Sequence, residues 1–251
     1  MKPNSASRFT MKLNKVAIGA VIVSAGYLMA CPPLLAQTTD LAATSDQARL
    51  VGAAAQRDFA QFVQFNVQAR GGTLPSEFPL EVSDVQDLKD AKISYGFPVY
   101  SIPPQDILAG RGDLRSMAKA TGEWRFVITL HDAPIGMATL SQTNGRWGIT
   151  SYGGAVLSKD VDATMAVHGN ATRSNVRFIR VYQAMSDFLE VTSASDARTR
   201  FAPLHSARQA LLLQQRSEKT GTAPANNGLL EQGDFIDALR LSVKSNMDAF
   251  R

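Results

Sequence analysis

Apolar and polar positions alternate most cleanly over residues 123–154, and the pattern predicts three antiparallel strands in succession. Trp124, Phe126, Ile128 and Leu130 stand two apart, so a strand places them on one face. Asp132-Ala133-Pro134 supplies a turn, a second run covers 135–143, and Asn144-Gly145 supplies the next turn. Asn-Gly between strand-like runs favours a type I′ hairpin, because both central residues must adopt φ > 0. Residues 146–152 complete the meander.

The period changes to that of a helix upstream. Ser45-Asp46 can cap a helix reaching Ala69, with Leu50, Val51, Ala55, Phe59, Phe62, Val63 and Asn66 along one side and Phe65 widening it. Arg70-Gly71-Gly72 ends it, and the prolines and carboxylates of 73–88 read as loop. Residues 91–102 form a strand bent or interrupted at Gly96 and Pro98; 105–122 hold at most a short helical turn. Downstream of the meander, 155–167 read as a helix with Ser158 as N-cap and Asp160 and Asp162 in its first turn. Those two carboxylates argue against phosphate binding at Gly153-Gly154. Residues 176–192 are β-branched and aromatic and form one long bent strand or two, 200–204 an edge strand, and 204–216 a helix. A linker, 217–230, precedes an amphipathic helix at 231–251, in which Phe235, Leu239, Val243, Met247 and Phe250 share a face. The expected architecture is α+β: an N-terminal helix packed on an antiparallel sheet of about five or six strands, followed by C-terminal helices. The element order resembles the small helix-on-sheet domains that serve as propeptides and inhibitors of secreted proteases, although no motif residue carries that likeness.

Charge matters chiefly through where it lies. Residues 1–36 hold four of the 26 basic side chains and none of the 22 acidic ones, so the rest of the chain is formally neutral. Its basic character therefore gives no support to nucleic-acid binding. Lys2, Arg8, Lys12 and Lys15 precede a short apolar run and Leu34-Leu35-Ala36, the pattern of a secretory signal peptide cleaved before Gln37. Leu28-Met29-Ala30-Cys31 resembles a bacterial lipobox, which would make Cys31 a lipidated N-terminal residue and the anchor to the envelope. Cys31 is the single cysteine, so the chain has no intramolecular disulfide. A periplasmic or secreted location is expected, with membrane contact only through Cys31.

Candidate chemistry is sparse. Ser116-Met117-Ala118-Lys119, Ser186-Asp187 and Lys219-Thr220-Gly221 are similar in order to the motif set of penicillin-binding proteins. Ser186-Asp187 lacks the following asparagine, however, and the third motif falls in the linker. His131, His168 and His205 share neither a helix nor a metal-ligand spacing, so no metal site, cofactor or catalytic residue is assigned. The sequence favours an exported, non-catalytic envelope protein that binds another protein or a peptide through its sheet or the helix at 231–251. The alternatives are an exported hydrolase acting on peptide or cell-wall material and a small-molecule carrier with a pocket between the first helix and the sheet.

Overall fold

A computed structural model describes residues 34–69, 74–110, 112–194, 198–211 and 228–249, with side chains of the first helix described from residue 45. Cys31, Phe250 and most of residues 1–36 and 217–230 lie outside these residues. The elements are α1 (Leu34–Ala69), β1 (Ala91–Ser101), α2 (Pro104–Ala109), α3 (Leu114–Met117), β2 (Lys119–Leu130), β3 (Ala133–Thr143), β4 (Arg146–Gly153), α4 (Ala155–His168), β5 (Val176–Val181), β6 (Ser186–Thr192), β7 (Thr199–Pro203), α5 (His205–Ala210) and α6 (Ile236–Ala249). Short 3₁₀ turns precede β1 and α6 and join β5 to β6. No helix among the described residues is long and apolar enough to cross a membrane.

The fold is α+β, with one seven-stranded sheet in the order β4-β3-β2-β1-β5-β6-β7. All neighbours are antiparallel except β1 and β5, which pair in parallel through Val99 and Phe178. Asn144 and Gly145 take φ of 52° and 76°, as the hairpin signal requires. The other meander turn is one step earlier than expected: His131 and Asp132 adopt φ of 49° and 65°, and Ala133 already pairs with Leu130. Pro134 stands beside a register shift, where a missing N–H is tolerated. The sheet has seven strands rather than five or six, and 176–192 takes the two-strand alternative by folding back on itself. The turn there, Tyr182–Ala184 with Met185 at φ 48°, contains no glycine, proline or asparagine to mark it.

Alternation along the strands divides the core between two faces. On the first, α1 covers Trp124, Phe126, Ile128 and Leu140, while α2, α3 and α6 cover Ile102, Ile179, Phe188 and Phe201. On the second, α4 covers Phe97, Val127, Met137, Phe178 and Leu189 through Val161 and Met165. The stripe of α1 is narrower than expected. Val51, Ala54, Ala55, Phe59 and Asn66 are buried, but Leu50 and Phe65 are 57% and 66% exposed. Each stands one residue from a buried position, hence about 100° around the helix, and α1 meets only one surface. The helix also begins well before Ser45-Asp46, where Asp46 pairs with Arg49 instead of capping. Gly96 lets β1 approach β2: a Cβ there would stand 2.4 Å from the Phe126 ring.

Candidate functional site

The N-terminal end of α4 is organised differently from the sequence expectation. Its N-cap is Gly154, at φ 69°, which offers no side-chain acceptor. Ser158 is buried one turn inside and donates to the carbonyl of Ala155 (2.8 Å). The first turn holds no acidic residue. Asp160 instead accepts from Arg208 (2.9 Å) and from the backbone of His205, and Asp162 accepts from the Tyr95 hydroxyl (3.1 Å). Burial and the Asp162 carboxylate push the Tyr95 pKa upward. The positive end of the helix is thus left uncompensated.

Beside that helix end the second face of the sheet opens into a cleft of about 420 Å³. Met137 and Thr139 of β3 and Ser151 of β4 line its floor, and Gly153, Gly154, Val156 and Leu157 form one wall. Arg125 of β2, Arg180 of β5, Asp187 of β6 and the start of α5 at His205-Ser206 form the other. Arg180 and Asp187 are register partners across the β5–β6 hairpin. The guanidinium donates to both carboxylate oxygens (2.7 and 2.8 Å), and the Ser206 hydroxyl donates to the same carboxylate (3.1 Å). Desolvation opposes the charge on Arg180, yet hydrogen bonding and attraction from Asp187 outweigh it and raise its pKa.

Arg125 has no such partner. Among the described residues no carboxylate lies within ion-pair distance of it, and its Nε is buried without a hydrogen-bond acceptor. Its guanidinium lies 5.5 Å from the centre of the Phe178 ring, a weak compensation. Burial, and then the like charge of Arg180, push its pKa below the ordinary arginine value. Arginine remains protonated under such shifts. Asp187 is bonded to Arg180, while Glu123, which accepts from the Tyr182 hydroxyl (3.4 Å), acts on both guanidiniums only from a distance, so Arg125 keeps a charge that no carboxylate among the described residues contacts.

The histidines are not brought together. His131 sits exposed in the β2–β3 turn, His168 ends α4, and His205 stands exposed at the cleft mouth. Among the described residues no three His, Cys, Asp or Glu side chains gather as a metal-ligand set. Ser116 is exposed and donates to the Asp113 carbonyl, whereas Ser186 is buried and donates to that of Ala184. Ser186 and Ser116 lie on different elements, and Lys219-Thr220-Gly221 is outside the described residues.

The apolar face of the last helix, which by its pattern could pack back on the domain or dock elsewhere, packs on the domain itself. Phe235, Leu239 and Val243 are fully buried among Ile102, Ile179 and Phe188, and Met247 packs against the same cluster. A core face and a docking face have the same 3.6-residue period, so the pattern alone does not separate them. The space between α1 and the sheet, expected as a carrier pocket, is filled by packed side chains including Phe59, Phe62 and Tyr152. Arg125, Arg180, Asp187 and Ser206 were not read as site residues. The available signal was an arginine at an inward strand position, since Arg125 alternates with Val127 and Arg180 with Phe178.

The outer edge of the sheet is also covered. Asp58 of α1 accepts from the Ile149 amide of β4 (2.9 Å), and Arg57 donates to the Trp147 carbonyl (3.1 Å). These side chains occupy backbone groups that an added strand would need. Desolvation raises the Asp58 pKa, but bonds from Arg57 and Ile149 more than offset it, leaving the group below its ordinary value. Its stabilisation is therefore present above about pH 4 and lost as pH falls through the lower folded-state pKa. Asp58→Ala should cost about 1–2 kcal/mol at pH 7. In urea titrations that difference should shrink toward pH 3; a pH-independent difference would mean that packing, not the ionised carboxylate, is lost.

The chain matches no protein-family model, no curated protein and no solved structure to which it was compared.

Proposed function

We propose that this chain is an exported bacterial envelope protein that binds a small molecule in the cleft beside α4 without transforming it. The observation that carries the reading is the open 420 Å³ space walled by β-strands and a helix end. That volume falls within the range of small-molecule sites, and its apolar lining with a few convergent polar groups has their usual character. The leader at 1–36 supports export, with Cys31 as the alternative anchor. Binding of an envelope protein or peptide through the terminal helix is less well supported, because Phe235, Leu239 and Val243 have the domain as their partner.

A hydrolase would need a nucleophile beside a base. Ser206 directs its hydroxyl to Asp187, whose charge is engaged by Arg180, so the geometry does not favour that reading. The test is a thermal-shift screen of a metabolite library against the wild type and Ser151→Trp. Ser151 is exposed on the cleft floor, so an indole there should fill the site without entering the core. At least one compound should stabilise the wild type by about 2–3 kcal/mol at a hundredfold excess over Kd, and leave the variant unchanged. A library that never distinguishes the two proteins would sink the proposal.

A further inference from the structure

The chemistry of the cleft names its ligand class, an inference that rests on the proposed binding reading. We infer that the site selects small amphiphilic carboxylates, with the acid group at Arg125 and the apolar body along Met137, Val156 and Leu157.

Three observations converge on the head group. Arg125 faces the cleft without a carboxylate partner, whereas the adjacent Arg180 is already held by Asp187 through both oxygens. Arg125 is therefore left without a contacting carboxylate while Asp187 and Glu123 offset part of its charge from a distance, which suits a monoanion better than a dianion. A partly desolvated guanidinium binds a carboxylate through paired N–H donors, and it repels ammonium groups. Opposite it, the first hydrogen bond within α4 runs from Ser158 to Gly154, so the amides of residues 155–157 have no acceptor inside the helix. Gly154 brings no side chain to cap them.

The walls decide the rest of the molecule. Met137 is hydrophobic but already buried beneath the floor, whereas Leu157 is half-buried and Val156 is exposed at the rim, so these two supply the apolar surface open to water. A free inorganic phosphate would place these groups against a strongly hydrated ion and gain nothing from them. An alkyl chain would remove their surface from water together with its own.

The experiment compares octanoate, 1-octanol and octylammonium, which share a body and differ in head, by calorimetric titration of the full chain. Inorganic phosphate serves as the anion without a body. Octanoate should bind about tenfold or more tightly than 1-octanol, as a charge-assisted hydrogen bond warrants. Octylammonium and phosphate should be weaker still. Arg125→Met should erase the preference of octanoate over 1-octanol, and Arg125→Lys should retain part of it. Unchanged 1-octanol binding by Arg125→Met reports that the variant is folded and its cleft intact. Equal binding of octanoate and 1-octanol by the wild type would overturn the anion selectivity while leaving a ligand cleft in place. A preference that survives Arg125→Met, or tightest binding by phosphate, would also overturn it. Binding of none of the probes would overturn it too; the library screen with Ser151→Trp then decides separately whether the cleft binds any ligand.

Discussion

Phe235→Ala should destabilise the protein by about 3–5 kcal/mol, the usual cost of emptying a buried aromatic site. Phe235 is 1% exposed, stacks on Phe188 at 4.9 Å and meets the edge of Phe201 at 5.5 Å. Its neighbours come from β6 and β7, which belong to the sheet and cannot collapse into the vacated volume. Removing 231–251 altogether should be more damaging, because Ile236, Leu239 and Val243 leave with it and uncover Ile102 and Ile179. Polar ties reinforce the packing. Leu230 exchanges two backbone hydrogen bonds with Phe201, Gln232 accepts from the Leu114 amide (2.8 Å), and Arg240 donates to the Ile107 carbonyl (3.2 Å). Since a domain of this kind holds only about 5–15 kcal/mol in total, the truncated chain should show no cooperative urea transition. A truncated chain with an unchanged midpoint would mean that the helix is dispensable to the fold and free to dock a partner.

The same segment shows where sequence reasoning reaches its limit. The apolar face through Phe235, Leu239 and Val243 was legible, but periodicity states only that a face is buried, not against what. Local chemistry gave more. Asn144-Gly145 fixed one hairpin because the turn itself demands those residues, and the alternation from Trp124 to Leu130 fixed which side meets α1. The β5–β6 turn could not be placed because Tyr182–Ala184 and Met185 carry no turn chemistry, which left one bent strand and two as open alternatives over 176–192. The bounds of α4 were legible but its cap was misassigned, because Ser158 looked like the cap, whereas Gly154 performs that role by conformation alone. The cleft could not be read in advance. Its charged groups come from β2 and from the β5–β6 hairpin, which are distant in sequence, and only the strand order places Arg125 near Arg180. What could have been noticed is that an arginine facing inward from a strand requires a counter-charge, and that the only carboxylate on its own strand, Glu123, is two residues away and makes no ion pair with it.

Asp187→Ala should cost about 3–5 kcal/mol, because it removes one partner of a buried ion pair and leaves the other unneutralised. The Asp187 side chain is 5% exposed and that of Arg180 is 26% exposed, so water relieves the stranded guanidinium only in part. Arg125 makes the loss worse, since Asp187 is the carboxylate nearest to balancing both cations. Asp187→Asn, which keeps an acceptor for Ser206, should lose less. Both variants should recover stability in high salt, where the Debye length falls to about 3 Å at 1 M and the Arg125–Arg180 repulsion is screened. They should also recover it in octanoate, by an increment larger than in the wild type, because a bound anion replaces the missing charge and binds only the folded chain. The measurement is the urea midpoint of wild type, Asp187→Ala and Asp187→Asn in low salt, 1 M sodium chloride and octanoate. If Asp187→Ala stays within about 1 kcal/mol of wild type, the two arginines are solvated well enough to need no counter-ion, and the cleft loses its claim to an anionic ligand. If the variants fall and octanoate restores them, Asp187 acts as a built-in counter-ion for one of two arginines, with the second left for the ligand.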